Sequence, residues 1–167
     1  AAQYSTVKAT FDEASTALGF DLWAICQGAS GAASLDDTAY TQPALLTASM
    51  AIWRVLRDEL DLQPAYVAGH SLGEYSALVA AGALAFSDAV RLVRLRGEAM
   101  QEAVPEGVGA MAAILGLDAA AVSDVCAQAA SAEEIVAPAN LNAPGQIVVA
   151  GHRDAVLRAA ELAKARG

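Results

Sequence analysis

The chain has 167 residues, 56% hydrophobic and 17% charged, with 10 basic against 19 acidic residues and a formal net charge of -9. This balance excludes an intrinsically disordered chain, which needs low hydrophobicity and high charge, and it has the wrong sign for a phosphate-backbone binder, so no nucleic acid partner is expected. Apolar runs are broken by charges before the roughly 20 residues needed to cross a bilayer, and no charged segment precedes an apolar one at the start. No membrane partner and a cytoplasmic location are expected.

From Gln3 to Leu18, the residues Val7, Phe11, Ala14 and Leu18 recur at helical spacing and Gly19 stands where a helix would stop, predicting a first amphipathic helix. Gln27 to Asp37, with Gly28 and Gly31 among Ser and Ala, lacks periodicity and reads as a mobile loop. A helix entered from Thr41 or Gln42 follows and runs to Leu60, with Pro43 in its first turn, where no intrahelical N–H is needed. Pro64 to Gly69 has the short apolar pattern of a strand buried on both faces, here residues 65–70. Leu72 to Leu84 is apolar almost all round, the pattern of a buried helix. A further helix from an N-cap at Ser87 runs to Val104 and is broken by Pro105-Glu106-Gly107.

Beyond that break the elements shorten: strand Gly109 to Leu115, helix Asp118 to Ala130, strands Ile135 to Asn140 and Gln146 to Ala150, and helix Asp154 to Arg166. The order β-α-β-β-α is that of a ferredoxin-like subdomain without its last strand. One strand at 65–70 cannot make a parallel sheet either, so both halves lack strands. The boundary falls near Pro105 to Gly107, giving domains 1–106 and 107–167. The chain begins Ala-Ala-Gln, without Met, which suggests a piece of something longer.

Gly69-His70-Ser71-Leu72-Gly73 matches G-x-S-x-G, in which a serine on a strained strand-to-helix turn projects its hydroxyl into open space. Gly69 and Gly73 let the backbone pass, and the Leu72 N–H at the helix start is a candidate oxyanion donor. A plain Gly-rich turn is the bland alternative. On a helical projection of residues 88–104, Leu92, Ala103, Ala89, Met100, Val93, Ala99 and Leu95 form one apolar arc, and Arg96 falls in its middle. A buried unpaired guanidinium costs several kcal/mol, so Arg96 should meet an anion: an internal Asp or Glu, or the carboxylate of a ligand. A serine nucleophile needs a base. His70 should point away from Ser71 and serve in packing or bracing the elbow. His152 could act as base only if the second half folds back over Ser71, and a surface or capping role is favoured. Cys26 and Cys126 lie far apart with no CxxC or Cys/His cluster, so buried free thiols are expected, with no metal and no disulfide.

Gly69 to Leu78, Tyr40-Thr41-Gln42-Pro43-Ala44, Arg94-Leu95-Arg96-Gly97, Gly109 to Ala113 and Asn142 to Gly151 together resemble the bacterial malonyl-CoA:acyl carrier protein transacylases. The likeness extends to the acyltransferase domains of fatty acid and polyketide synthases, although Gly-Glu-Tyr-Ser after Ser71 is more similar to the free-standing enzymes. The resemblance implies an α/β fold, with an α/β-hydrolase-like large subdomain, incomplete here, and an inserted ferredoxin-like small subdomain. It implies that Ser71 carries a malonyl ester between coenzyme A and the carrier protein's phosphopantetheine thiol in fatty acid or polyketide synthesis. Arg96 would then hold the malonyl carboxylate, and the Leu72 N–H would supply one oxyanion donor.

The same resemblance implies a coenzyme A thioester as donor substrate, no bound cofactor, malonyl-CoA and acyl carrier protein as partners, and a monomer. The family's Gly-Gln-Gly-Ser-Gln motif and its catalytic histidine have no counterpart in this sequence, so the 167 residues alone would be an inactive fragment. The competing enzyme class is an α/β-hydrolase-type serine esterase or thioesterase. Carrier docking would fall to Arg91 and Arg94, unless they form a solvated helix face paired with Glu98, which is favoured.

Overall fold

The computed structural model describes residues 4–29, 31, 34–105 and 107–167. Gln3, part of the expected loop at 27–37 and Glu106 lie outside the described residues. The chain divides into two compact units, Ala1–Ala103 and Val104–Gly167, a few residues before the boundary read from the sequence.

The first unit is helical: α1 Ser5–Leu18, α2 Leu22–Cys26, α3 Thr38–Leu60, α4 Leu72–Ala80 and α5 Phe86–Ala103. Helix α1 ends at Gly19 with φ 78, as its apolar spacing predicts. The short α2, capped by Asp21, has too few residues to show a period. Helix α3 begins earlier than expected, because Asp37 caps it by accepting from Ala39 N–H at 2.8 Å. Pro43 therefore sits inside the helix and removes the N–H that Ala39 C=O would have accepted. The Arg94 guanidinium of α5 donates to that carbonyl instead, at 3.1 Å. Ser87 is likewise inside α5 and not its cap, since Ala85 C=O accepts the first helical bond from Ala89.

The core of this unit joins Phe11 and Ala14 of α1 to Leu46 and Met50 of α3 and Val90 and Val93 of α5. Arg54 ties the same three helices together. It donates to Thr10 at 3.1 Å and Glu13 at 2.7 Å and lies over the Phe86 ring at 4.7 Å.

The expected strand at 65–70 does not form. Residues 61–71 are exposed, with Tyr66 at 92%, and no described strand pairs with them. An apolar run specifies a strand only where a neighbour takes its backbone hydrogen bonds. Helix α4 is corrected in the same way: it stops at Ala80 and has no buried residue, although Leu72, Tyr75 and Val79 pack on the core from one side.

In the second unit β1 Gly109–Leu115, β2 Val136–Ala143 and β3 Gln146–His152 form an antiparallel sheet of order β1-β3-β2. The helices are α6 Ala119–Ala129, capped by Asp118, and α7 Arg153–Lys164. Ile114, Ile147 and Val149 of the sheet pack against Val122, Val125 and Val156 of these helices. Met111 and Leu115 alternate to the opposite, exposed face. Pro138, which has no N–H for a ladder, lies on the edge strand β2 beside a register shift.

Helices α3 and α5 meet most closely at Gly97, where an added Cβ would lie 2.6 Å from Thr38 O and 2.7 Å from Ala39 Cα. Alanine normally stabilises a helix interior by about 1 kcal/mol over glycine. Here overpacking against backbone outweighs that gain, and Gly97→Ala is expected to lower the denaturation midpoint by the equivalent of about 1–3 kcal/mol. An unchanged or raised midpoint would show that the helices can separate freely.

Candidate active site

Ser71 stands just ahead of α4 with φ 54 and ψ -115, a backbone conformation that L side chains rarely adopt. Two bonds close the turn: Gly73 N–H donates to His70 C=O at 2.9 Å and Glu74 N–H to Ser71 C=O at 3.2 Å. Gly69 is required by the turn itself, because a Cβ there would sit 1.9 Å from Gly73 O. Gly73 does not share that requirement, since its own Cβ would meet nothing within 4 Å. The Leu72 N–H is the first of α4 and donates to no described residue, which leaves it at the helix's positive end beside Ser71.

His70 is exposed, and its ring bonds to no described residue. Its carbonyl braces the turn by accepting from Gly73 N–H. His152 lies at the end of β3 in the other unit. Its Nδ1 accepts from Ile135 N–H at 3.1 Å, and its own N–H donates to Ile135 C=O at 2.8 Å. The imidazole is thus held to the strand edge with Nδ1 as acceptor.

Arg96 is partly exposed, and the arc around it differs from the projection. Leu92, Leu95 and Met100 are exposed, with Leu95 at 61%, and the face that packs inward is Phe86, Ala89, Val90, Val93 and Gly97. Helical projection finds which residues share a side and cannot tell which side α3 will cover. No carboxylate pairs with Arg96 among the described residues. Its Nη1 donates to Gln42 Oε1 at 2.5 Å and its Nη2 to Ser71 Oγ at 3.0 Å. The elbow serine and the guanidinium, 25 residues apart in sequence, are therefore in direct contact.

Gln42 appears in the sequence as a possible helix entrance and within the Tyr40–Ala44 segment that carries the resemblance, but with no role at the site. It is 4% exposed, and its Nε2 donates to Thr38 Oγ1 at 3.0 Å and Met100 Sδ at 3.5 Å. A buried amide one helical turn after Asp37 and Thr38, just before a mid-helix proline, was the available signal. Arg94 is engaged as well: it bonds Glu98 at 2.6 Å and lies over the Tyr40 ring at 4.3 Å. Arg91 pairs with Asp88 at 3.1 Å. These two arginines form a paired helix face rather than a free basic patch.

Chemically, the arrangement presents a strained hydroxyl, a helix-start N–H and a cation with further N–H donors to one small region. An arginine cannot take the serine proton, and Ser71 Oγ bonds to no histidine or carboxylate among the described residues. No group of three or more metal-ligating side chains occurs among the described residues. Cys126 is buried and Cys26 half-buried, both as free thiols, and burial pushes each thiol above its ordinary value. No helix is long and apolar enough to cross a membrane among the described residues.

The chain belongs to the acyl transferase domain family, which matches residues 5–167. Within it, the chain is 58% identical over 167 residues to the malonyl CoA-acyl carrier protein transacylase of Escherichia coli strain K12, covering all of this chain and 53% of that protein. The Salmonella typhimurium strain LT2 transacylase is 56% identical, with the same coverage. Among solved structures, FabD from Acinetobacter baumannii superposes with a TM-score of 0.91 at 53% identity, over 99% of this chain and 52% of that one. The complex PlMCAT:AntF (holo), a type II PKS acyl-carrier protein with its malonyl-transacylase, gives a TM-score of 0.90 at 52% identity, over 99% and 53%. The chain spans about half the length of the curated relatives it matches.

The backbone at Ser71 yields a test of its strain. Ser71→Gly is expected to be more stable than Ser71→Ala by about 1 kcal/mol in chemical denaturation, because glycine reaches positive φ without a Cβ clash. Equal stabilities would show an unstrained elbow.

Proposed function

We propose that the whole protein transfers a malonyl group from malonyl-CoA to the phosphopantetheine thiol of an acyl carrier protein, through an ester on Ser71. The observation that carries this reading is the 3.0 Å bond from Arg96 to Ser71 Oγ. An acyl group esterified to Oγ and bearing a carboxylate one methylene beyond its carbonyl would place that carboxylate within reach of the same guanidinium. Bidentate pairing of this kind favours an arginine over a lysine. The named transacylase relatives support the same donor and acceptor.

In this reading Ser71 Oγ attacks the thioester carbonyl while a general base takes its proton, and the Leu72 N–H donates to the oxygen on which negative charge develops. Coenzyme A leaves as the thiol. The carrier's thiol then attacks the ester, and Ser71 recovers its proton. The base is proposed to be the histidine that the resemblance implies. The sheet order β1-β3-β2 under two helices supports a ferredoxin-like assignment for 107–167. The elbow geometry supports an α/β-hydrolase-like one for 1–106. The free thiols fit a reducing compartment and support a cytoplasmic setting for the proposed reaction.

Intact-mass analysis of the whole protein after exposure to malonyl-CoA tests the proposal. A malonyl adduct on Ser71 that disappears in Ser71→Ala is expected, and free malonate released faster than carrier is loaded would indicate a hydrolase. Arg96→Ala should slow malonyl loading by about 100-fold while acetyl loading stays within a few-fold. Equal losses on both donors would remove Arg96 from carboxylate recognition.

A further inference from the structure

The partner of Arg96 is a neutral amide, where a partly buried guanidinium is usually met by a carboxylate. The amide cannot turn over. Arg96 only donates and the Met100 thioether only accepts, so Oε1 must face Arg96 and Nε2 must face Met100 and Thr38. Thr38 and Gln42 are one turn apart on α3, and Gly97 lets α5 approach Thr38 closely enough for Arg96 and Met100 to bracket the amide. Gln42 thus fixes one arm of the fork while the other reaches Ser71 Oγ at 3.0 Å.

We infer that Gln42 is a specificity-positioning residue, a neutral acceptor that aims Arg96 at the Ser71 acyl site while leaving its positive charge for an anionic acyl group. This rests on the reading of Ser71 as the acyl carrier. A glutamate at position 42 could make the same contact with nearly the same shape, and the Thr38 hydroxyl could turn to donate to it. The ion pair formed would cancel the charge that an incoming carboxylate needs. Preference for an anionic over an uncharged acyl group is then set at position 42 as well as at Arg96.

The test uses the whole protein as wild type, Gln42→Glu and Gln42→Met, the last keeping shape without acceptor oxygen or charge. Ser71 acylation is timed with malonyl-CoA and acetyl-CoA, and malonate binding is followed through the Arg96 side-chain NMR resonance. In Gln42→Glu, the malonyl-to-acetyl rate ratio should fall by about 100-fold, with malonate binding lost and acetyl loading within about threefold of wild type. Gln42→Met should still prefer malonyl-CoA while loading it up to about tenfold more slowly. The inference is overturned if Gln42→Glu keeps the wild-type ratio or binds malonate, if it slows both donors equally, or if Gln42→Met loses the preference. Wild type that binds malonate at Arg96 but is not loaded by malonyl-CoA would refute the donor assignment alone, leaving malonate binding by the variants to decide on Gln42. Wild type that binds no malonate would overturn the inference itself.

Discussion

The site depends on how closely α5 approaches the first turns of α3. Gly97 is the only size of residue that the contact with Thr38 and Ala39 accommodates without displacement. That contact brings two arginines of α5 onto α3: Arg94 onto the Ala39 carbonyl and Arg96 onto Gln42. One more carbon at Gly97 would meet the Thr38 and Ala39 backbone within 3 Å, so the helices that carry Arg96 and Gln42 would have to shift. Backbone packing in the helical layer therefore controls the distance between cation and hydroxyl. Precision of this kind is better held by helices than by loops.

Ser71 is held from the other side by its own turn. The positive φ and the two short-range bonds that close the turn hold Ser71 where its hydroxyl accepts from Arg96. The strain is local and the surrounding contacts sustain it. Gly69 admits the start of α4 over the incoming chain. The result is a serine whose oxygen accepts from a cation, beside an N–H that donates to no described residue.

Much of this was legible in the sequence where local signals act alone. The α1 stop at Gly19, the helix after Asp118, the three strands of the second unit and the serine elbow all follow from spacing and turn chemistry. What misled the reading was burial. The apolar run at 65–70 and the apolar α4 were expected inside, and both lie wholly or partly at the surface, because hydrophobicity records a preference and not the presence of a neighbour. Arg96 was found as an anomaly for a sound reason, its place among apolar residues, yet its partner could not be read. Gln42 lies 54 positions away and becomes a partner only through the Gly97 contact. The Asp37 cap was missed because Pro43 drew the helix start toward itself.

The mid-helix proline has a consequence for how α3 and α5 depend on each other. Pro43 withdraws the amide that Ala39 C=O would have used, and Arg94 supplies the replacement from another helix. The merit of the proline thus depends on the arginine. With an ordinary residue at 43, the carbonyl would be satisfied within α3 and could still accept from the guanidinium, which keeps its bond to Glu98 in either case. With a shorter side chain at 94, the proline would leave an orphaned carbonyl. A packing device between two helices thus doubles as the hydrogen-bond partner that lets α3 carry a proline in its interior.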